Sequence, residues 1–231
     1  MIIENRSFRN KHYIFTSRRK AGSLLGPYVG LEPFDLLLLI PNGGIPVGLG
    51  IVEFPLVPRT KIDLLIVRKI QIPGNTEAGM GAITPDGQVF LNDMLLDRLT
   101  ISSHQLETQI ERTKYEIEKK RREFIGTSHK LEVYGKNILI VDDGVASGFS
   151  VLAASLWLRQ LGAETIILAV PTAPMSSLKR LEKVLDKIIC LNIREKFPFA
   201  VADAYTDWYD VSNSEIKDYF SLLKDFQPLS R

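Results

Sequence analysis

The residues with the clearest chemical potential lie in one segment, where an apolar run meets a stretch of small residues. Asp142 and Asp143 follow the apolar run 138–141, and Gly144 begins a loop that leads into an apolar helix predicted from Ser150. Small residues let backbone N–H groups converge on an anion, and a helix start adds unpaired N–H groups and a positive dipole end. Two carboxylates beside such a loop suit a sugar diol or a divalent cation. The pattern therefore predicts a site for a phosphorylated sugar.

The predicted anion loop consists of seven residues: Gly144, Val145, Ala146, Ser147, Gly148, Phe149 and Ser150. The alternative is an ordinary turn in which Ser150 only caps a helix. The acid–acid–glycine triplet taken alone favours that turn, whereas the whole thirteen-residue pattern from Ile138 to Ser150 favours an anion site.

This segment resembles the phosphoribosyl-diphosphate signature of type I phosphoribosyltransferases, in which an apolar strand and paired acids precede a small-residue loop ending in Ser or Thr. In that family the acids contact the 2- and 3-hydroxyls of ribose and the loop binds the 5-phosphate. The resemblance implies that Asp142 and Asp143 hold the diol, while residues 145–150 hold the phosphate. It also favours Mg²⁺ as a cofactor, with Asp142 and Asp143 as its predicted ligands.

A second candidate loop, Asn42-Gly43-Gly44, follows the apolar run 36–40. Its glycines allow unusual backbone angles and the close approach of an anion, although a plain strand-to-helix turn explains them equally well. The loop resembles the pyrophosphate loop of the same family. Relatives commonly have a basic residue before the glycine pair, where this chain has Asn42.

We expect positive charge near this loop from the two basic residues that follow the next apolar run, 64–67. Arg68 and Lys69 are expected at the end of that strand, where they would hold the pyrophosphate, although surface solvation is the common role of such a pair. The segment Pro73–Gly81 corresponds to the flexible loop that closes over the reacting centre in the family, and an idle surface loop is the alternative. Segments 67–83 and 199–212 resemble the corresponding segments of one bacterial and archaeal branch of uncharacterised phosphoribosyltransferase-domain proteins.

Alternating strands and helices predict an α/β fold, with a mostly parallel sheet flanked by helices. We expect a core over residues 1–191 and a small hood over residues 192–231. In the family the hood recognises the acceptor base, and an aromatic ring there could stack on it, although packing against the core is the better interpretation for most of these rings. The aromatic residues are Phe197, Phe199, Tyr205, Trp208 and Tyr209.

A long amphipathic helix is predicted between Ser102 and Phe124. Ser102 and Gln105 form a capping-box pattern, and apolar residues recur along one stripe of this helix. The charged run 119–122 is interpreted as a solvated face rather than a binding patch.

The composition excludes several classes of protein. A net charge of +2 on 231 residues gives no support for binding nucleic acid through its phosphates. No apolar run approaches the roughly 20 residues that span a bilayer, and the first residues lack a signal-peptide pattern, so we expect no membrane partner and a cytoplasmic location. The single cysteine, Cys190, lies in an apolar run and is predicted to be a buried, inert thiol.

The resemblance implies transfer of phosphoribosyl from 5-phosphoribosyl 1-diphosphate to a nitrogenous base or related acceptor, with release of pyrophosphate. The partners of the protein would be the sugar diphosphate and the acceptor. Whether the chain forms a homodimer is left open. The first alternative is a non-catalytic regulator that senses the sugar diphosphate or a nucleotide. The second is a hydrolase or phosphatase that acts on a phosphorylated sugar without an acceptor.

Overall fold

A computed structural model of the chain describes residues 1–124 and 130–228, without the side chains of residues 75–78 and 94. Its strands are β1 (Ile2–Ile3), β2 (Leu36–Leu39), β3 (Lys61–Leu64), β4 (Arg68–Ile72), β5 (Asn75–Ile83), β6 (Val89–Leu91), β7 (Asn137–Val141), β8 (Thr165–Pro174) and β9 (Lys187–Arg194). Its α-helices are α1 (Arg18–Val29), α2 (Gly44–Val52), α3 (Asp93–Leu96), α4 (Ser103–Phe124), α5 (Phe149–Gln160), α6 (Met175–Leu181) and α7 (Asn213–Leu223).

The central sheet has six parallel strands in the order β1-β9-β8-β7-β2-β3. Strand β2 is apolar along its whole length because helices cover both faces of the sheet. Successive residues of β2 show this directly: Leu37 and Leu39 join the core beneath α1, α2 and α7, whereas Leu36 and Leu38 join the core beneath α5 and α6. The predicted α/β fold with a mostly parallel sheet is confirmed.

A smaller antiparallel sheet, β4-β5-β6, lies beside the central one. The apolar run 64–67 was expected to be a strand ending at Arg68 and Lys69, and this prediction is wrong: the central strand ends at Leu64, and Arg68 begins β4. The intervening residues cross between the sheets, and the Leu65 N–H still donates to the Leu39 carbonyl at 2.9 Å.

Much of the segment predicted as a closing loop, Pro73–Gly81, also belongs to this smaller sheet, because β5 begins at Asn75. Strands β4 and β5 form a hairpin whose register shifts on either side of Gln71. Gly74 has φ +77 in the turn, a conformation that glycine adopts without steric cost. The closing role of this hairpin stays a prediction.

Helix α4 packs over β4 through Thr113 and Ile117, which are buried. The predicted capping box is confirmed, because the Gln105 N–H donates to Ser102 Oγ at 3.2 Å and the Ser102 N–H donates to Gln105 Oε1 at 3.0 Å. Within residues 1–124 and 130–228, each helix is too short or too polar to span a bilayer.

The C-terminal part packs closely on the core. Strand β9 continues to Arg194, beyond the predicted boundary at 191, so the division into core and hood stays a prediction. Tyr205 is fully buried, and its ring lies 5.6 Å from that of Phe15. Cys190 is buried as predicted, and burial raises the pKa of its thiol.

Candidate ligand-binding site

A cavity of about 1100 Å³ opens at the carboxyl edge of the central sheet. Strands β2 and β7 are neighbours there, with Leu39 paired to Val141, so the loops that follow them begin at the same level. Because ligands of open α/β sheets bind at this edge, the cavity is the candidate site. Eight predicted site residues line it: Asn42, Gly43, Arg68, Lys69, Asp142, Asp143, Ala146 and Ser150.

The other predicted residues do not line the cavity. Ser147 is exposed next to it, and the rest are buried behind its surface. The buried residues are Gly44, Gly144, Val145, Gly148 and Phe149.

The loop 144–150 is curled at the start of α5. Gly148 has φ +79 immediately before the helix, in the left-handed region. The carbonyl of Ala146 accepts from Ser177 Oγ at 2.5 Å, and the carbonyl of Ser147 accepts from an Arg180 guanidinium nitrogen at 2.6 Å. In the described part of the chain, the N–H groups of residues 146–150 have no protein acceptor, which is the arrangement that an anion requires.

The acid pair is enclosed between this loop and α1. The Asp143 N–H donates to Asp142 Oδ1 at 2.8 Å, and Arg18 Nε donates to Asp143 Oδ2 at 2.7 Å. Burial and the neighbouring Asp143 charge raise the pKa of Asp142 well above its usual range. Burial also raises the pKa of Asp143, although the Arg18 guanidinium opposes that shift. The two acids therefore differ, because among the described residues Asp143 forms an ion pair with Arg18 and Asp142 forms none.

Arg18 is a site residue that the sequence did not reveal. It is the first residue of α1, after the Ser17 cap, and an arginine at such a position looks like an ordinary surface residue. In the structure it is buried, donates to the Tyr209 carbonyl at 2.8 Å, and places its guanidinium carbon 3.9 Å from the centroid of the Trp208 ring. It thus links Asp143 to the C-terminal aromatic segment.

The glycine pair allows two elements to pack closely, and its predicted contact with an anion stays a prediction. Gly43 has φ −64, so unusual backbone angles are not the reason for glycine at that position. A Cβ on Gly43 would lie 1.9 Å from Asp143 Oδ2, and one on Gly44 would lie 2.6 Å from the Val141 carbonyl oxygen. The glycines therefore let α2 start against the β7 loop. The peptide bond Pro41–Asn42 is cis.

Asn42 is held from two sides. Its Nδ2 donates to the Val211 carbonyl at 2.7 Å, and its Oδ1 accepts a hydrogen bond from Lys120 Nζ. The interpretation of the α4 charges as a solvated face is therefore wrong for Lys120, which is half-buried against the cavity, whereas Lys119 is exposed. Burial, with the charge of Arg68, lowers the pKa of Lys120 to about 8.

Among the described residues, four cations line the side of the cavity formed by β4 and α4: Arg68, Lys69, Arg112 and Lys120. We call these residues the cationic wall. Glu116 also lines it, 2.9 Å from Arg68 and 3.4 Å from Arg112. The wall adds excess positive charge to the cavity that the acid pair also lines, which suits a ligand with a strongly anionic end.

Comparison with known proteins identifies the family. The family model described as "Phosphoribosyl transferase domain" matches residues 88–206, slightly more than half of the chain. The chain therefore belongs to the phosphoribosyl transferase domain family. A protein of Mycobacterium tuberculosis H37Rv named as a phosphoribosyl transferase is 29% identical over 181 residues, which cover 78% of this chain and 40% of that protein. The chain thus spans less than half the length of this curated relative.

Solved structures support the same fold. The crystal structure of TT1426 from Thermus thermophilus is 26% identical, with a TM-score of 0.68, and the match covers 93% of this chain and 99% of that one. The AQ2163 protein from Aquifex aeolicus is 14% identical, with a TM-score of 0.52 over 89% of this chain and 91% of its own, and shows the fold alone.

Proposed function

We propose that the chain transfers a phosphoribosyl group from 5-phosphoribosyl 1-diphosphate to a nitrogenous base or related acceptor and releases pyrophosphate. One observation carries the proposal. Among the described residues, the N–H groups of residues 146–150 have no protein acceptor and lie beside Asp142 and Asp143 on one edge of the sheet, and the cationic wall lines the same cavity. The substrate has a matching set of groups: phosphate, diol and diphosphate.

In this arrangement the loop 144–150 holds the 5-phosphate, and the acids hold the ribose hydroxyls. Charged hydrogen bonds contribute on the order of 1.5–3 kcal/mol each, so several together give substantial affinity. Because Arg18 occupies Oδ2 of Asp143, the sugar contacts are assigned to Asp142 and to Oδ1 of Asp143. The diphosphate then extends towards Asn42, Gly43 and Gly44 and towards Arg68 and Lys69.

During transfer the C1–O bond breaks and its electron pair leaves with pyrophosphate. The acceptor nitrogen forms the new bond to C1 and releases its proton to the medium. Positive charge that develops on the sugar is stabilised by Asp142 and Asp143, and the protein acts by positioning and electrostatics without a nucleophile of its own.

Mg²⁺ fits the chemistry of these donors. Within residues 1–124 and 130–228, no group of three or more His, Cys, Asp or Glu side chains is placed to hold a metal. Mg²⁺ commonly uses one or two carboxylates together with substrate phosphates and water, so Asp142 and Oδ1 of Asp143 suffice as the protein ligands. The bound ion would supply charge neutralisation for the diphosphate.

The acceptor is assigned to the hood, residues 192–231, where Phe199 and Trp208 line the cavity. Trp208 is 39% exposed although one face of its ring lies against Arg18, so part of the ring is open to a planar base. The homodimer and the cytoplasmic location stay predictions.

The test is to incubate the full chain with 5-phosphoribosyl 1-diphosphate, Mg²⁺ and a panel of purine, pyrimidine and related bases, and to measure pyrophosphate. We expect pyrophosphate release that depends on one class of base. Failure of the chain to bind the sugar diphosphate at all would overturn the proposal.

A sensor is the second candidate, and the Arg18–Asp143 ion pair favours it, because an acid already neutralised by the protein is less available to stabilise a cation. Binding of the sugar diphosphate without pyrophosphate release for any base supports this candidate. Release of orthophosphate or ribose 5-phosphate without an acceptor supports a hydrolase instead.

A further inference from the structure

Lys120 occupies an unusual position for a residue of a long, charged helix. It lies in the last turn and a half of α4, yet its side chain turns inward and donates to Asn42 Oδ1. The contact joins residues 78 positions apart in the chain. An ammonium group placed on the candidate diphosphate loop can reach whatever that loop binds.

The charge of Lys120 is also less compensated than that of its neighbours. Arg68 and Arg112 both lie within ion-pair distance of Glu116. In the part of the chain that the structure describes, no carboxylate forms an ion pair with Lys120, although Glu116 and Glu123 act on it from farther away. A partly buried cation without a paired carboxylate gains more from an incoming anion than a paired cation does.

We propose that Lys120 contacts the diphosphate of the sugar substrate and the pyrophosphate that leaves, and that it provides at Asn42 a positive charge carried by helix α4. This inference rests on the proposed function, because it assigns a further residue to the same site. Asn42 is then a positioning residue, since its amide holds the ammonium group in place and is itself held by the Val211 carbonyl.

Lys120 should stabilise the transition state more than the ground state. Negative charge accumulates on the diphosphate as the C1–O bond lengthens, so a fixed ammonium group stabilises the departing group increasingly. The lowered pKa of Lys120, about 8, makes this contribution sensitive to pH in the range where an ordinary lysine stays charged.

The experiment measures binding of pyrophosphate with Mg²⁺ to the full chain by isothermal titration calorimetry. Three variants are compared with the unmodified chain: Lys120→Gln, Lys120→Arg and, as a matched control, Lys119→Gln on the exposed face of the same turn. At pH 7 we expect Lys120→Gln to weaken binding roughly 10- to 100-fold, the range that one charged hydrogen bond represents. The Lys119→Gln variant should bind as the unmodified chain does, and Lys120→Arg should retain most of the affinity.

Pyrophosphate affinity measured at two pH values separates the effect of the Lys120 charge from any structural effect of the substitution. Between pH 7 and pH 9 the unmodified chain should lose affinity relative to Lys120→Arg by several-fold, and at most about tenfold, because arginine stays protonated. The ratio of the two proteins cancels the ionisation of pyrophosphate itself. The other charged groups that act on Lys120 or line the same cavity are common to both proteins: Arg18, Arg68, Lys69, Arg112, Glu116, Glu123, Asp142, Asp143 and Asp210.

The outcomes distinguish this inference from the function on which it rests. If the unmodified chain does not bind pyrophosphate, the pyrophosphate subsite of the proposed function is wrong, and the inference fails with it. If the unmodified chain binds but Lys120→Gln binds equally well while folded, as judged by circular dichroism, only the inference is overturned. Equal pH dependence of the unmodified chain and Lys120→Arg also counts against it.

Discussion

The loop 144–150 and the cationic wall face the same cavity, yet they are assembled in different ways. The loop is continuous, and its N–H groups are aimed by its own backbone, with Gly148 in a left-handed conformation at the helix start. The cationic wall combines Arg68 and Lys69 from β4 with Arg112 and Lys120 from α4, and Asn42 from the β2 loop holds Lys120 in place. The loop therefore depends on local backbone geometry, whereas the wall depends on the packing of three separate elements.

This difference has consequences for how each part responds to substitution. A backbone cradle is damaged by a change in φ or by displacement of the loop, and side-chain truncation affects it little. Substitution of one side chain in the cationic wall removes one charge, and the ligand affinity should fall only in part because the other cations remain. Substitutions in the two regions should thus differ in size and in kind.

The largest effect is expected from Gly148→Val. A Cβ at this position would lie 3.4 Å from Leu181 Cδ1 and Val145 Cγ1, so a larger side chain meets the protein and displaces the loop rather than filling the cavity. The left-handed backbone adds a cost of about 1–2 kcal/mol for a residue other than glycine. We expect at least a roughly 100-fold loss of affinity for ribose 5-phosphate in calorimetric titration, because several hydrogen bonds are lost together.

The matched control is Gly135→Val. Gly135 also has a positive φ, +65, but an added Cβ there meets open space, and the residue precedes the opposite end of β7. We expect a similar backbone cost with unchanged affinity for ribose 5-phosphate. Equal binding by both variants would show that the loop 144–150 does not hold the phosphate.

The next effect concerns the acid pair, which lies between the two regions. Asp143→Asn removes the charged partner of Arg18, whose side chain is only 7% exposed, and we expect the free energy of unfolding to fall by about 1–3 kcal/mol. We also expect this variant to bind the sugar more weakly and to lose transfer while it keeps its fold, and the ion pair adds the cost in stability.

Asp142→Asn is the comparison for that variant. Asp142 has no ion pair in the described part of the chain, and burial disfavours its charged form. The amide that replaces the carboxyl group should therefore leave the free energy of unfolding at pH 7 unchanged or raise it. Urea unfolding of both variants measures the difference. A loss of stability that is the same for both would argue against a special role of Arg18.

A smaller effect is expected from Asn42→Ala. The variant loses the hydrogen bond to the Val211 carbonyl and the contact with Lys120, and we expect about 0.5–1.5 kcal/mol less stability and a several-fold weaker affinity for pyrophosphate. Asn137→Ala serves as the control, because Asn137 forms side-chain hydrogen bonds with Asp35 and Thr165 at the other edge of the sheet. Its stability should fall similarly, while its pyrophosphate affinity should not change.

The smallest effect is the dependence of stability on the protonation of Lys120. Its pKa is lowered to about 8 in the folded chain and is near 10.4 when the chain is unfolded, so the unfolded chain binds more protons between these values. Stability should therefore rise as pH increases from about 8 to 10. Solvent screening keeps the gain below about 1 kcal/mol.

Urea unfolding at pH 7.5 and pH 10 tests this sign. The Lys120→Gln variant should lack that part of the increase, and Lys119→Gln should retain it. A larger increase in Lys120→Gln than in the unmodified chain would contradict the assigned pKa.

Much of the fold was predictable because its signals are local. The capping box of Ser102 and Gln105 and the apolar strands depend on residues a few positions apart. The break after Leu64 was not predictable, because an apolar run that continues one strand looks the same as a run that crosses to a second sheet.

The amino-acid sequence by itself determined the parallel sheet and the contiguous loop 144–150 with its acid pair, because hydrophobic periodicity and small-residue loops act over short distances along the chain. Only the tertiary structure decided which charges face the cavity. Arg18 reaches Asp143 across 125 positions and Lys120 reaches Asn42 across 78, and both look like surface residues in the sequence. The physical reason is that an ion pair or a buried amine depends on which elements pack together, and short-range patterns do not specify that packing.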